Sequence, residues 1–351
     1  GVMKNILLIL LLILAFGGCK DDEQVEPDAV VYEDWTKIPS SVISLNTRWV
    51  LTLEAYDTNL YIQCLQSFYH LDQNLARKAH YLTGFDKEPR GKGPVIGNRY
   101  TIKKHNESWG STRFNICFTN DPLYDDFWLN YDSISRPMTG AGNSNIDDEG
   151  NFGILYSKEV EEDSISIYFD SYKVTGRWQE PAARVDNLFL VKTRNTQALV
   201  SDVVIIDDVF YMSYYRNLAR VENGNVTHTF PFNLRDIQKY GNALVGVADN
   251  IWRGMPDEPQ LMISYDDGKS WSSVMKGRTL NSGNLKVVGD EILLITGWYV
   301  LLLDIENGEF KEVNMDGTDA YFSDVTKLGD KAILGTESGV YYKSWESFLN
   351  K

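Results

Sequence analysis

The chain has 351 residues, of which 43% are hydrophobic and 24% are charged, so it has enough apolar side chains for a sizeable core. Its 49 acidic residues outnumber the 34 basic ones, which gives a formal net charge of −15 at pH 7. Because so acidic a chain repels phosphate backbones, the composition argues against nucleic acid as a partner.

The first element is an apolar segment that follows a single basic residue. Lys4 precedes ILLILLLILAF at residues 6–16, and Gly17, Gly18 and Cys19 come directly after it. This run is shorter than the roughly 20 residues of a membrane span and is typical of a secretory signal peptide. The small residues before a cysteine resemble the lipobox of bacterial lipoproteins, although Phe16 stands where the family usually has an aliphatic residue. The resemblance implies cleavage after residue 18 and acylation of Cys19, with an ordinary cleaved signal as the alternative.

The next residues predict where the anchored protein goes. Lys20, Asp21, Asp22 and Glu23 follow the cysteine and resemble the signal that sends some lipoproteins to the outer leaflet of the Gram-negative outer membrane. A solvated linker is the alternative, because charged, Pro-containing runs stay disordered. We expect residues 19–34 to be a lipidated tether, held to the bilayer by Cys19, and residues 35–351 to be the folded domain.

Between residues 45 and 140, apolar and polar residues alternate as they do in β-strands. The clearest runs are WVLTLEAY, LYIQCLQSF and FNICFTN, and residues 74–97 indicate a long hairpin arm or loop. This region has room for two four-stranded units, with a separate small domain as the alternative. Cys64 and Cys117 each lie in one of these runs, so we expect two buried thiols rather than a disulfide.

From residue 143 onward one hairpin recurs, with a strand, a tight turn and a strongly apolar strand. Its turns are Asp148-Glu149-Gly150, Asp207-Asp208, Gly241-Asn242, Gly289-Asp290 and Gly329-Asp330. Gly, Asp and Asn supply the positive φ that such turns need. Third and fourth strands follow, as in QLMISYD and SWSSV. We therefore predict an all-β fold, a β-propeller of four-stranded antiparallel blades, with seven blades expected and six or eight as alternatives.

The polar segment at residues 143–151 loosely resembles a calcium loop. Asn145, Asp147, Glu149 and Gly150 have the alternation that such loops use, but a polar turn between two strands is the favoured interpretation. The four histidines are scattered and the three cysteines lack metal-type spacing. We predict no metal site and no cofactor.

Residues 264–271 read SYDDGKSW and match the pattern S-x-D-x-G-x-[ST]-W at every defined position. They resemble the Asp box, or BNR repeat, of sialidases and many other β-propellers. We expect Asp266 to accept backbone N–H groups within its turn and Gly268 to take a conformation closed to side chains with a Cβ. We expect Trp271 to begin the last strand and bury its ring. Together with Ser264 these residues predict a structural clasp.

The resemblance to sialidases also suggests where to look for catalysis. Sialidases hold a sugar carboxylate with three arginines, and the first lies in an Arg-Ile-Pro motif. The corresponding string here is Lys37-Ile38-Pro39. Since lysine lacks the planar fork that binds a carboxylate bidentately, sialidase activity is not expected, and no other catalytic set is legible.

Strand order predicts which connections share a face of the propeller. The 1–2 and 3–4 turns of a blade lie on one face, and the 2–3 and 4–1 connections lie on the other, where propellers generally bind ligands. Residues 215–217, 250–253, 297–298 and 337–338 fall on this second face. Aromatic rings stack on sugars, and Arg pairs with acidic groups. The predicted ligand-site residues are Arg216, Trp252, Arg253 and Trp298. The alternative is that the tryptophans fill gaps between blades.

Three functions follow from this interpretation. The first is a cell-surface lipoprotein that binds an extracellular ligand, a glycan, without catalysis. The second is a glycoside hydrolase or related carbohydrate-active enzyme, and the third is a protein-interaction scaffold with partners in the cell envelope. Acidic side chains that point together into the central channel of the propeller would favour the enzyme. An exposed aromatic platform would favour the binding protein, and a broad apolar patch would favour the scaffold.

Overall fold

The computed structural model describes residues 35–44, 49–64, 67–82, 95–96, 100–106, 112–118, 127–128, 143–161, 164–175, 178–192, 201–214, 216–248, 258–318 and 321–350. Their strands form seven four-stranded sheets with antiparallel pairing. This confirms the predicted all-β fold of four-stranded blades, and seven is the blade number that we predicted. All these strands belong to one compact unit, Asp34–Lys351.

The blades are numbered in chain order, and the first strand, β1 (Thr36–Lys37), belongs to the last of them. Blade 1 contains β2 (Val50–Tyr56), β3 (Asn59–Cys64), β4 (Ser67–Asp72) and β5 (Arg77–Leu82). Blade 2 contains β6 (Val95–Ile96), β7 (Tyr100–Asn106), β8 (Thr112–Phe118) and β9 (Phe127–Trp128). Blade 3 contains β10 (Asn143–Ile146), β11 (Asn151–Glu161), β12 (Ser164–Thr175) and β13 (Trp178–Lys192).

The remaining blades carry the recurring hairpins. Blade 4 contains β14 (Ser201–Ile206), β15 (Val209–Tyr214), β16 (Asn217–Glu222) and β17 (Asn225–Phe230). Blade 5 contains β18 (Leu234–Tyr240), β19 (Ala243–Ala248), β20 (Gln260–Ser264) and β21 (Ser272–Lys276). Blade 6 contains β22 (Gly283–Val288), β23 (Glu291–Thr296), β24 (Val300–Asp304) and β25 (Glu309–Glu312), and a 3₁₀ turn at Arg278–Ser282 precedes it. Blade 7 contains β26 (Phe322–Leu328), β27 (Lys331–Thr336), β28 (Gly339–Ser344) and β1.

The first strands of blades 3 to 7 and of blade 1 contact one another in succession. β14 contacts β10 and β18, β22 contacts β18 and β26, and β26 contacts β2 of blade 1. Apolar side chains fill the space between neighbouring blades. One cluster joins Leu53 of blade 1 to Ile333 of blade 7, and another joins Tyr211 of blade 4 to Leu234 of blade 5. In these described parts of the chain, blades bury their faces against their neighbours.

Strand β1 closes the ring from outside, as the fourth strand of blade 7. Thr36 pairs with Tyr342 and Lys37 with Tyr341, and the Ile38 N–H donates to the Val340 carbonyl at 2.9 Å. Lys37 of the Lys-Ile-Pro string is therefore exposed on an outermost strand, with its Nζ 5.5 Å from the centroid of the Tyr341 ring. It is remote from the first strands, which adds to the argument against a sialidase-like role.

The turns that the sequence predicted are present at the 1–2 corners. Asp207 and Asp208 have φ values of 49° and 63°, and Gly241, Gly289 and Gly329 have values of 56°, 63° and 60°. These left-handed conformations match the right-handed twist of the flanking strands. Local sequence therefore determines the register of these hairpins.

Two sequence predictions in blade 1 were wrong. Residues 77–82, predicted as part of an arm or loop, form β5, the outermost strand, where Arg77, Lys78 and His80 are exposed and give no alternation. The run LYIQCLQSF is two strands, because β3 ends at Cys64 and β4 begins at Ser67. The short connection between them lacks Gly, Asp and Asn, so no turn signal marks it. Cys64 is buried as predicted, and the side chain of Cys117 lies outside the described residues.

One short helix, α1 (Trp345–Leu349), follows blade 7 and was not predicted. The Ser344 hydroxyl caps it by accepting the Ser347 N–H at 3.2 Å, and Phe348 is buried edge-on against Trp35, 5.9 Å between centroids. Among the described residues, no helix has the length and apolar character needed to cross a membrane.

Candidate functional site

The connections between strands divide the propeller into two faces. We call the face with the 2–3 and 4–1 connections the loop face, and the face with the 1–2 and 3–4 turns the turn face. By strand order Arg216 and Trp298 lie on the loop face. Trp252, Arg253 and the proposed lipid site Cys19 lie outside the described residues.

Arg216 and Trp298 hold equivalent positions in different blades. Each is the second residue of its 2–3 connection, which is residues 215–216 in blade 4 and residues 297–299 in blade 6. Blade 5 lies between them. The structure therefore places the two predicted residues on one face but two blades apart.

The Trp298 ring projects into solvent and contacts a second aromatic residue. Its side chain is 75% exposed, so it does not fill a gap between blades. The ring packs edge-to-face on Tyr321, with centroids 5.6 Å apart and planes at 81°, a favoured aromatic geometry. We call Trp298 and Tyr321 the aromatic pair.

A threonine turn holds Trp298 in place. The Thr296 hydroxyl accepts the N–H groups of Trp298 (3.2 Å) and Tyr299 (2.9 Å), and it donates to the Tyr299 carbonyl at 2.8 Å. Blade 7 repeats this turn around Thr336, which accepts the Ser338 N–H at 3.0 Å. Trp298 thus occupies the position that Ser338 holds in the next blade, on a backbone of the same design.

Tyr321 lies in the 4–1 connection before β26, and its backbone is fixed from both sides. The Phe322 N–H donates to the Gly297 carbonyl at 2.9 Å, and the Glu337 N–H donates to the Tyr321 carbonyl at 3.1 Å. A Cβ on Gly297 would lie 1.9 Å from the Tyr321 ring, so only glycine leaves room for the pair. Tyr321 was not among the predicted site residues, although its place directly before a first strand was a signal that could have found it.

Residues 264–271, the segment that resembles an Asp box, form a hydrogen-bonded clasp at the 3–4 turn of blade 5, on the turn face. The Ser264 hydroxyl donates to Asp266 and accepts the Gly268 N–H, both at 2.8 Å. Asp266 also accepts the Ser270 N–H at 2.8 Å and the Ser270 hydroxyl at 2.7 Å. These bonds from Ser270, with the one from Ser264, lower the pKa of Asp266 to about 2.

The clasp also joins blade 5 to blade 4. The Asp267 carbonyl accepts the Tyr211 hydroxyl and the Arg220 Nε–H, each at 2.8 Å. Trp271 packs half-buried against the apolar cluster of these two blades. It precedes β21, which begins at Ser272 rather than at Trp271 as we predicted. These contacts give the segment an architectural role.

Replacing Asp266 with alanine should lower the free energy of unfolding at pH 7 by about 1 kcal/mol, the usual contribution of a turn hydrogen bond. Because the folded pKa lies below the ordinary value of 3.8, the stability from this carboxylate is present above pH 4 and is lost as the pH falls toward 2. Thermal unfolding of both proteins at pH 7 and pH 3 would measure this. A difference between the proteins that is the same at both pH values would contradict the assignment.

A charged triad lies among the first strands where the ring closes. Lys286 of β22 places its Nζ 3.0 Å from Asp324 of β26, 3.2 Å from Glu54 of β2 and 2.6 Å from the Leu53 carbonyl. We call Lys286, Glu54 and Asp324 the central triad. Burial raises the pKa of Glu54. Burial alone would lower the pKa of Lys286, but the charges of Asp324 and Glu54 outweigh it and raise that pKa.

Asp324 belongs to a repeated aspartate that clamps one blade to the next. Asp202 accepts the Asp236 N–H at 3.3 Å, Asp236 accepts the Leu285 N–H at 3.2 Å, and Asp324 accepts the Leu53 N–H at 2.7 Å. Each aspartate stands five positions before the residue that begins its 1–2 turn. This spacing is visible in the sequence and could have predicted the repeat. The role of these three carboxylates is to bond each blade to the next one.

The loosely calcium-like segment forms a turn in which the side-chain oxygens of Asn145 and Asp147 accept hydrogen bonds from within the segment. Asp147 accepts the N–H groups of Glu149 (3.0 Å) and Asn151 (2.8 Å), and the Asn145 amide donates to the Val203 carbonyl of blade 4 at 3.1 Å. Gly150 takes a φ of 85°. Within the described part of the chain, no group of three or more potential ligand residues could hold a metal ion.

Comparison with known proteins gives similarity of fold. No protein-family model matches the chain, and no curated protein matches it. The extracellular domain of the two component system BT4673 from B. thetaiotaomicron superposes with a TM-score of 0.54 at 11% identity, over 89% of this chain and 40% of that one. The chain thus spans less than half the length of that protein.

Two further structures match over nearly their full length. The Pan2 WD40 domain of Neurospora crassa gives a TM-score of 0.50 at 9% identity, covering 90% of this chain and 96% of that one. Virginiamycin B lyase from Staphylococcus aureus gives a TM-score of 0.50 at 10% identity, covering 85% of this chain and 94% of that one. The fold is a β-propeller. At these identities the likeness extends to the fold alone, so the function must be argued from this chain's own residues.

Proposed function

We propose that this protein is a cell-surface lipoprotein whose propeller binds an extracellular ligand, a glycan, on the loop face and without catalysis. The observation that carries the proposal is the aromatic pair, exposed on the loop face and fixed by Thr296 and Gly297. An aromatic ring offers a large flat surface for the C–H face of a sugar. Because the backbone beneath it is already ordered, little conformational entropy is lost on binding.

The acidic groups at the centre of the ring support binding rather than hydrolysis. Glycoside hydrolases need two carboxyl groups that flank the bond to be cleaved. Glu54 and Asp324 are instead bridged by the Lys286 ammonium, and Asp324 also accepts the Leu53 N–H. Their oxygens are used to hold three blades together. The enzyme is therefore the second candidate, and released sugar is the result that would favour it.

The proposed lipid anchor at Cys19 has a test of its own. Incorporation of labelled palmitate into the full chain, and its loss in Cys19→Ser, would test the anchor; equal labelling of both would reject Cys19 as the site.

Binding is tested by retention of the full chain, in mild detergent, on mucin glycans, plant polysaccharides and sialosides, with released sugar recorded in parallel. Trp298→Ala should weaken retention by roughly 30-fold, the effect of removing an aromatic anchor, with an unchanged melting temperature. Tyr265→Ala is the matched control, because Tyr265 is 73% exposed but lies on the turn face.

The outcomes separate the three functions. Retention that Trp298→Ala weakens and Tyr265→Ala leaves intact supports the glycan-binding proposal. Equal effects of the two variants would reject the aromatic pair as the site. Failure to bind any member of the panel would reject the glycan proposal and favour a scaffold with envelope protein partners.

A further inference from the structure

Exposed aromatic residues of the described chain gather on one part of the loop face. Six large hydrophobic residues of the described ranges are exposed, and four of them belong to blades 6, 7 and 1: Trp298 (75%), Tyr299 (39%), Tyr321 (45%) and Trp49 (47%). The other two, Val226 and Tyr265, lie on the outermost strand of blade 4 and on the turn face. Such concentration is unusual on the surface of a soluble domain, where single apolar residues are scattered.

Trp49 and Tyr321 occupy the same position in neighbouring blades. Trp49 directly precedes β2, and Tyr321 directly precedes β26. Val50 packs so closely on blade 7 that its Cγ1 lies 2.6 Å from where a Cβ on Gly335 would be. Two residues further on, the Glu337 N–H donates to the Tyr321 carbonyl. Trp49 is therefore an exposed aromatic residue on the loop face of the blade next to that of Tyr321, where blade 1 packs on blade 7.

The polar groups beside these rings indicate a ligand rich in hydroxyls and without negative charge. Ser338 and Tyr341 share a hydroxyl–hydroxyl contact of 2.9 Å, Glu337 is exposed next to Ser338, and the Lys37 Nζ lies 5.5 Å from the centroid of the Tyr341 ring. The Glu337 carboxylate accepts and the Lys37 ammonium donates hydrogen bonds to sugar hydroxyls, and the carboxylate disfavours an acidic sugar. The net charge of −15 acts in the same direction.

We infer that the loop face carries an extended site for a neutral oligosaccharide, with one stacking position at the aromatic pair and a second at Trp49. The inference rests on the proposed function and adds to it the ligand class and a length requirement. A chain that reaches both positions gains the second contact without a second loss of translational freedom. A single sugar engages only one of them.

The test is an affinity series with the full chain in mild detergent and neutral malto-, cello- and xylo-oligosaccharides of one to six units as probes. For the series that binds, the hexasaccharide should bind roughly tenfold more tightly than the disaccharide, the gain of one additional aromatic contact. Trp49→Ala should remove that gain and leave the disaccharide affinity within about twofold of wild type. Trp298→Ala should weaken probes of every length, and Tyr265→Ala should weaken none.

The results distinguish this inference from the proposed function. Affinity that is independent of chain length, or a length gain that Trp49→Ala leaves intact, overturns the extended site while glycan binding at Trp298 stands. Binding confined to sialosides in the retention panel, with no neutral probe bound, overturns the assignment of a neutral ligand. If Trp49→Ala no longer binds the hexasaccharide more tightly than the disaccharide, an unchanged melting temperature excludes unfolding as the cause.

Discussion

Lys286→Met should lower the free energy of unfolding at pH 7 by about 3–5 kcal/mol, the effect of removing one partner from a buried ion pair. The side chain of Lys286 is only 13% exposed, and it is the cation shared by Glu54 and Asp324. Methionine fills a similar volume but leaves both carboxylates without this charge. The loss should therefore concentrate where blades 6, 7 and 1 meet. Urea unfolding followed by tryptophan fluorescence would measure it.

The pH dependence of this loss identifies its cause. The folded pKa of Glu54 is raised above its ordinary value of 4.5 even with Lys286 present, and removal of the lysine raises it further. A group with a raised folded pKa stabilises the protein below its unfolded pKa, and this contribution disappears as the pH rises through the folded pKa. The difference in the free energy of unfolding between Lys286→Met and the wild type should thus be largest at neutral pH and smaller at pH 4.

Lys239→Met is the matched control for this prediction. Lys239 also lies on a first strand and forms an ion pair, 2.6 Å from Asp207, but its side chain is 53% exposed. Exposed pairs contribute at most about 1 kcal/mol. The central triad does not stabilise the contact of blades 6, 7 and 1 if Lys286→Met lowers the free energy of unfolding no more than Lys239→Met does. The same conclusion follows if the loss for Lys286→Met is equal at pH 4 and pH 7.

Gly268→Ala should lower the free energy of unfolding by about 2–4 kcal/mol, because it places a side chain on a left-handed backbone and also creates a steric clash. Gly268 has a φ of +74°, and a Cβ there would lie 2.4 Å from Cε1 of Tyr211 in blade 4. Either the clasp opens or Tyr211 moves, and Tyr211 is nearly fully buried. Thermal unfolding would record the loss as a lower melting temperature.

The neighbouring blade supplies a control that separates these two causes. Gly308 holds a corresponding place in the 3–4 turn of blade 6, with a φ of +69° and nothing within 4 Å of its Cβ direction. Gly308→Ala should therefore lower the free energy of unfolding only by the strain of the left-handed backbone, about 1–2 kcal/mol. Equal losses for the two variants would mean that the contact between the clasp and blade 4 contributes nothing.

The parts of this protein that sequence predicts are those formed by near neighbours in the chain. The Asp207-Asp208 turn and the Asp266 clasp join residues a few positions apart, so residue type and spacing suffice to predict them. Counting strands then places Trp298 on the loop face. The same method failed at β5, because an outermost strand faces solvent and has no apolar alternation to detect.

Only the tertiary structure decides what closes the ring and what surrounds Trp298. Lys286 donates to the carbonyl of Leu53 across 233 positions of sequence, and Trp49 lies in the blade next to that of Tyr321 only because blade 1 packs on blade 7. Neither arrangement leaves a local pattern, since each depends on how blades that are far apart in sequence pack together. Local hydrogen bonding thus determines the blades, and the packing between blades determines the site.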